Sequence, residues 1–237
     1  TGARRIITRS NPAYDGDPVY SPDGRYIAYR YQKMPGYESD RFRLAVYDRH
    51  NGTTTFLTES VDNWVQDFAW TPDNTGVYFT VPDRGYTTLH LVSLGDGTIR
   101  EILRGQSVSS FVVANDGTLF FTRSSVGEPY EIWQFTPEKD SRPVPVTSFN
   151  RELARSVDIR PAEIMWFEGA NGKQVQTFVV KPHDFDPSKR YPLILNVHGG
   201  PQMMWADSFR GDWQVYPGAG YIVAFPNPHG STGYGQD

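Results

Sequence analysis

Three segments of this chain repeat one short pattern, and that repeat constrains the fold more than any other feature. Pro18-Val-Tyr-Ser-Pro-Asp-Gly24 leads into 25–30, Phe68-Ala-Trp-Thr-Pro-Asp-Asn74 into 76–80, and Phe111-Val-Val-Ala-Asn-Asp-Gly117 into 118–123. The turn aspartates Asp23, Asp73 and Asp116 are spaced 50 and 43 residues apart. Each turn has Gly or Asn where a tight hairpin needs positive φ, and an Asp able to bond its own backbone. In the first unit the strand-like stretches are 18–21, 25–31, 42–48 and 53–58. His50-Asn51-Gly52 and Gly95-Asp96-Gly97 supply turns between third and fourth strands. Four antiparallel strands per roughly 40–50 residues predict β-propeller blades. A β-sandwich is the alternative, but sandwiches lack this fixed repeat. Propellers close with ~4–8 blades, so about three blades form an open arc. Arg4-Arg-Ile-Ile-Thr8 is expected to be the outer strand of a preceding blade.

The repeat stops after Phe149-Asn150. Residues 152–156 read as a short helical turn. The stretches 163–168 and 174–180 flank Gly169-Ala-Asn-Gly172 as a hairpin. Leu193-Ile-Leu-Asn-Val197 is nearly continuous apolar, as in a strand covered on both faces. His198-Gly-Gly-Pro201 ends it, 205–216 is read as helical, and 221–225 is a second buried strand. Strand, loop, helix, strand is the opening of an α/β sheet. The expected architecture is therefore mixed: a partial β-propeller over 1–160, then the N-terminal part of an α/β-hydrolase domain over 161–237.

Composition narrows the function classes. The net charge is −4, which argues against nucleic acid as a partner. No apolar run approaches the ~18 residues of a membrane helix, so no membrane insertion is expected. The chain has no cysteine, which removes disulfides and thiolate chemistry, and none of its five histidines has metal-like spacing to another. The start at Thr1-Gly2-Ala3, without Met or an apolar leader, suggests processing or excision from something longer.

Two adjacent glycines leaving a buried strand carry the chemical signal. In an α/β-hydrolase the loop after the third strand gives a backbone N–H to the oxyanion hole. A Cβ there would keep the developing O⁻ from the amide, and one such donor is worth ~3–4 kcal/mol in the transition state. Gly200 is the first candidate and Gly199 the second; a plain tight turn is the alternative.

Val197-His-Gly-Gly-Pro-Gln202, the following Trp205-Ala-Asp-Ser208, and Asn227-Pro-His-Gly-Ser-Thr-Gly-Tyr-Gly235 resemble the prolyl oligopeptidase family of serine peptidases. With Gly36-Tyr-Glu-Ser-Asp40, the chain is most similar to the dipeptidyl-peptidase V branch, with acylaminoacyl-peptidases close behind. The resemblance covers essentially the whole chain. It implies a serine exopeptidase, dipeptidyl or acylaminoacyl, that hydrolyses short peptides through an acyl-enzyme without metal or organic cofactor. It also implies a blade arc that caps the active site, and a periplasmic or secreted location, with the cytoplasm as the alternative. The remainder of its own polypeptide is the expected partner, and a homo-oligomer is allowed.

The catalytic triad itself is not in these residues. No serine has glycines at both −2 and +2, as a G-x-S-x-G elbow requires. Ser231 comes nearest, with His229 in the first glycine's place. The Ser, Asp and His are therefore expected beyond residue 237, and this segment alone is expected to be inactive. His183, His198 and His229 are read as structural or solvated. A non-catalytic propeller binding module is the competing reading, and it leaves the motifs of 191–235 unexplained.

A dipeptidyl peptidase must also hold a free substrate amine with a carboxylate in a dry site. Between the second and third strands of the first blade, Glu38 is the candidate for this, with Asp40 in reserve and Tyr37 as a wall. The alternative is a solvated loop paired with Arg41 and Arg43.

Overall fold

The computed structural model describes residues 2, 4–200 and 202–236. Its first sheet contains β1 (Asp15–Tyr20), β2 (Tyr26–Tyr31), β3 (Arg43–Asp48) and β4 (Thr54–Phe56). The second contains β5 (Phe68–Trp70), β6 (Gly76–Asp83), β7 (Tyr86–Ser93) and β8 (Ile99–Leu103). The third contains β9 (Ser107–Val113), β10 (Leu119–Ser125), β11 (Glu128–Phe135) and β12 (Val144–Pro145). In each sheet the strands lie in chain order and every neighbouring pair is antiparallel.

The repeated turn has the same construction three times. The Asp23 carboxylate accepts the Arg25 N–H at 3.0 Å, Asp73 that of Thr75 at 3.1 Å, and Asp116 that of Thr118 at 3.0 Å. The residue after each Asp has positive φ: Gly24 +71°, Asn74 +63°, Gly117 +86°. The tight turn sets each β-hairpin's register.

The three sheets stack face to face, because the central strand of the middle one is apolar on both sides. Val77, Phe79 and Val81 of β6 join Ala28, Leu44, Val46 and Trp70 in one core cluster. Tyr78, between them, points the other way to Leu89, Val108, Leu119 and Phe121. This is the period-two alternation of a strand with both faces buried. The Trp70 indole N–H donates to the Val19 carbonyl at 3.1 Å and ties the second sheet to the first. Residues 4–8 form no strand, contrary to expectation. Of this run, Ile7 packs with the Tyr29–Tyr31–Tyr47 cluster of the first sheet, and the Arg5 guanidinium lies 5.9 Å from the Tyr47 ring centre.

After helix α1 (Arg151–Ser156) come β13 (Glu163–Glu168), β14 (Gln174–Val180), β15 (Leu193–Leu195), helix α2 (Asp212–Gly218) and β16 (Ile222–Asn227). These strands make a fourth sheet in the order β13-β14-β16-β15. β13, β14 and β16 pair antiparallel, whereas β15 and β16 run parallel. Trp213 of α2 stacks on Phe225 of β16 at 3.6 Å and is fully buried with Phe178, Val180 and Val223.

Two expectations need correction here. β15 is shorter than expected, and Leu193, Leu195 and Val197 are each more than half exposed, so the described residues cover it on one side only. Helix α2 starts at Asp212, leaving 205–210 irregular, because the Trp205 backbone bonds Asn227 and not a helical turn. Among the described residues, no helix is long and apolar enough to cross a membrane.

Candidate active site

Hairpin tips from all three stacked sheets dock on the fourth, and this places the site. In the first sheet, Ser39 between β2 and β3 accepts from Gln202 (Oγ, 2.5 Å) and Gln236 (carbonyl, 3.0 Å), while the Arg41 N–H reaches Gln236 Oε1 at 2.7 Å. In the second, the Arg84 N–H donates to the Gly233 carbonyl at 3.0 Å, and the Gly85 carbonyl accepts the Asp207 N–H at 2.7 Å. Gly85 has φ +83°, and a Cβ there would lie 2.4 Å from Phe178 Cζ, so only glycine lets this tip sit so close. In the third, the Val126 N–H donates to Asp207 Oδ1 at 2.8 Å and its carbonyl accepts from Gln214 at 2.7 Å. Burial pushes the Asp207 carboxyl above its ordinary value.

Between these tips and the fourth sheet lies a cavity of about 650 Å³. Tyr37, Trp64 and Trp166 line it with Asp62, Lys173 and much of the 227–236 loop. The loop is held from below. Asn227, buried at the end of β16, accepts the Trp205 N–H at 2.7 Å and donates to the Trp205 carbonyl and to Tyr234 Oη, both at 2.9 Å. Tyr234 donates to Gln176 Oε1, and burial pushes its hydroxyl up to about 12.

The turn after β15 is joined to this loop. The His198 ring packs edge-on against Trp205, with Nε2 2.8 Å from Ser231 Oγ and Nδ1 2.9 Å from the Gly199 carbonyl. The Thr232 N–H donates to the Met203 carbonyl at 3.1 Å. Gly199 and Gly200 are both exposed and lie beside, not within, the lining of the cavity. Their N–H groups have no partner among the described residues. The two are not equivalent. Gly200 has φ +135°, and a Cβ on it would meet Gln202 N at 2.8 Å; a Cβ on Gly199 would meet nothing within 4 Å.

The three residues suggested for a substrate amine separate. Tyr37 lines the cavity. Glu38 is exposed beside it, its carbonyl 3.4 Å from Gln32 Nε2. Asp40 is fully buried and committed to the fold: its carboxylate accepts the Lys33 N–H at 2.5 Å, the Met34 N–H at 3.0 Å and Arg43 Nη1 at 3.0 Å. Burial alone would raise its pKa, but these donors outweigh it and hold the carboxyl below the usual range. Asp62, Trp64, Trp166 and Lys173 escaped sequence reasoning. They come from two separate connections and a strand, far apart in the chain. The partnership of Ser231 with His198 was equally invisible. Among the described residues, no three His, Asp or Glu side chains gather as a metal site.

No family model matches the chain. It is 35% identical, over its whole length, to dipeptidyl-peptidase 5 of Porphyromonas gingivalis, of which it spans 35%. It is 34% identical over 93% of its length to a probable dipeptidyl-peptidase 5 of Emericella nidulans, and 31% identical over 92% to dipeptidyl-peptidase 5 of Schizosaccharomyces pombe, spanning 32% of each. The chain thus spans about a third of the length of the curated relatives it matches. Among solved structures, the acylaminoacyl peptidase of Pyrococcus horikoshii superposes on 91% of this chain with TM-score 0.79 and 24% identity, using 33% of its own length. That likeness is one of fold.

Proposed function

We propose that this chain, similar throughout to about a third of dipeptidyl-peptidase 5, is the oxyanion-side portion of a serine exopeptidase. It acts on short peptides carrying a free or acylated N-terminus. In this reading 1–160 are three blades of a propeller, and 161–237 open an α/β-hydrolase domain. The strand order β13-β14-β16-β15, with its single parallel pair, supports the second assignment, because it puts the β15 exit turn at the carboxyl end of a parallel strand, where such sheets bind ligands.

The observation that carries the proposal is Gly200: positive φ, no room for a Cβ, and a backbone N–H without a partner among the described residues. A serine from outside these residues would bond through its oxygen to the substrate carbonyl carbon while a base takes its proton. The carbonyl π electrons then move onto oxygen, where the Gly200 N–H meets the charge. Collapse re-forms the C=O, breaks the C–N bond, and sends the proton out on the amine, leaving an acyl-enzyme. Tyr37 forms a cavity wall, and Glu38 beside it receives the substrate amine.

The test uses the protein encoded in full. It should hydrolyse a dipeptidyl-arylamide and be labelled by a fluorophosphonate. Gly200→Ala should lower kcat roughly 10²–10³-fold and change KM far less. An unlabelled, inactive wild type would favour the non-catalytic module.

A further inference from the structure

We infer that His198 is a positioning residue that aims the Gly200 N–H, with Ser231 holding its ring; this rests on the peptidase reading above. Gly199 C=O and Gly200 N–H belong to one peptide unit, which is planar and trans, so they point in opposite directions. Whatever fixes the carbonyl therefore fixes the amide. His198 Nδ1 lies 2.9 Å from that carbonyl. A carbonyl only accepts, so Nδ1 carries a proton and donates. No other bond to the Gly199 carbonyl exists among the described residues, and both glycines are exposed. Without His198, little would hold this peptide plane.

The ring is itself held at three points. Nε2 meets Ser231 Oγ at 2.8 Å, the ring edge lies against Trp205, and Nδ1 is on the carbonyl. Ser231 is buried, and its Oγ is also 2.6 Å from the Pro228 carbonyl, so it stays with its own loop. Its hydroxyl has one proton for two acceptors: the proton goes to the Pro228 carbonyl when Nε2–H donates to Oγ, and to Nε2 when that nitrogen is bare. The His198–Ser231 contact is kept in both arrangements, and only the Pro228 bond is given up in the second. The Nδ1 bond also polarises the peptide, which strengthens its N–H as a donor. Ser231 thus acts here through His198, in an arrangement that resembles a nucleophile and base but points its chemistry at a backbone amide.

The test again uses the full-length protein, comparing wild type, His198→Phe, Ser231→Ala and Ser231→Thr. Each is measured on a dipeptidyl-arylamide and with a dipeptidyl aldehyde, whose tetrahedral adduct carries the oxyanion. In an active enzyme, His198→Phe and Ser231→Ala should lower kcat about tenfold or more with KM nearly unchanged. Aldehyde affinity should fall by the same factor, and Ser231→Thr, which keeps the hydroxyl, should recover most of the loss. Wild-type kcat and aldehyde affinity in folded His198→Phe or Ser231→Ala would overturn the inference, as would a rise in KM alone. If His198→Phe does not fold, the Ser231 pair decides. A wild type with neither hydrolysis nor fluorophosphonate labelling would instead overturn the peptidase premise.

Discussion

Asn227 pairs with Trp205 as one strand residue pairs with another: its side-chain carbonyl accepts the Trp205 N–H at 2.7 Å and its amide donates to the Trp205 carbonyl at 2.9 Å. A side chain at the end of β16 thereby stands in for a missing strand and pins the irregular segment between the glycine turn and helix α2. The same amide reaches Tyr234, so one residue joins both loops of the site.

Asn227→Ala should therefore cost about 2 kcal/mol or more, because two buried backbone groups lose their partners. Asn227→Asp keeps the acceptor but sets a carboxylate against a carbonyl. Its folded pKa would lie above the unfolded value near 3.9. Its stability should thus be best below about pH 4 and lost as pH rises through the folded value. Urea titrations at pH 4 and 7 would show the Asp variant falling behind Ala only at the higher pH.

Asp40 is buried against Arg43 and two backbone N–H groups that hold its pKa down. Its contribution is present above the unfolded value and lost as pH falls through the folded one. Asp40→Asn leaves the buried guanidinium without a counter-charge and should cost about 3–5 kcal/mol at pH 7. That loss, read by chemical denaturation, should shrink in acid; a constant difference across pH would contradict the assignment.

Asp207 has the opposite sign. Burial raises its pKa, so its ionisation penalises the fold as pH rises above about 4. Asn at this position still accepts the Val126 N–H without that charge. Asp207→Asn should be more stable than wild type at pH 7 and gain less at pH 4, measured by the urea midpoint. A destabilisation larger at pH 7 than at pH 4 would show that the ionised carboxylate itself is needed.

Glu38→Gln separates substrate recognition from a solvated loop. With Glu38 on the substrate amine, a free dipeptidyl substrate should lose roughly tenfold or more in kcat/KM, from the lost charge-assisted contact. The N-acylated form should be unaffected. Equal loss on both, or none on either, would remove Glu38 from the site.

Local pattern already contained the hairpins at Asp23, Asp73 and Asp116, the alternation that buries β6 on both faces, and the change of architecture after residue 150. These depend on neighbours a few residues apart, where turn chemistry and period-two burial operate directly. Residues 4–8, where apolar and basic residues suit a strand, form none among the described residues, and the apolar run at Leu193–Val197 lies half in the open among them.

The glycine pair was visible in the sequence, but not which glycine the fold requires. That depends on Gln202 and Met203 crowding Gly200. The fates of Asp40 and Glu38, two residues apart, were equally undetermined until Arg43 and the Lys33–Met34 backbone enclosed one and left the other exposed. His198 meets Ser231 across 33 residues, and Ser39 meets Gln236 across 197. Sequence periodicity encodes which face of a strand is apolar. It carries no record of which loops the packed sheets bring within 3 Å, and this site is made almost entirely of such loops.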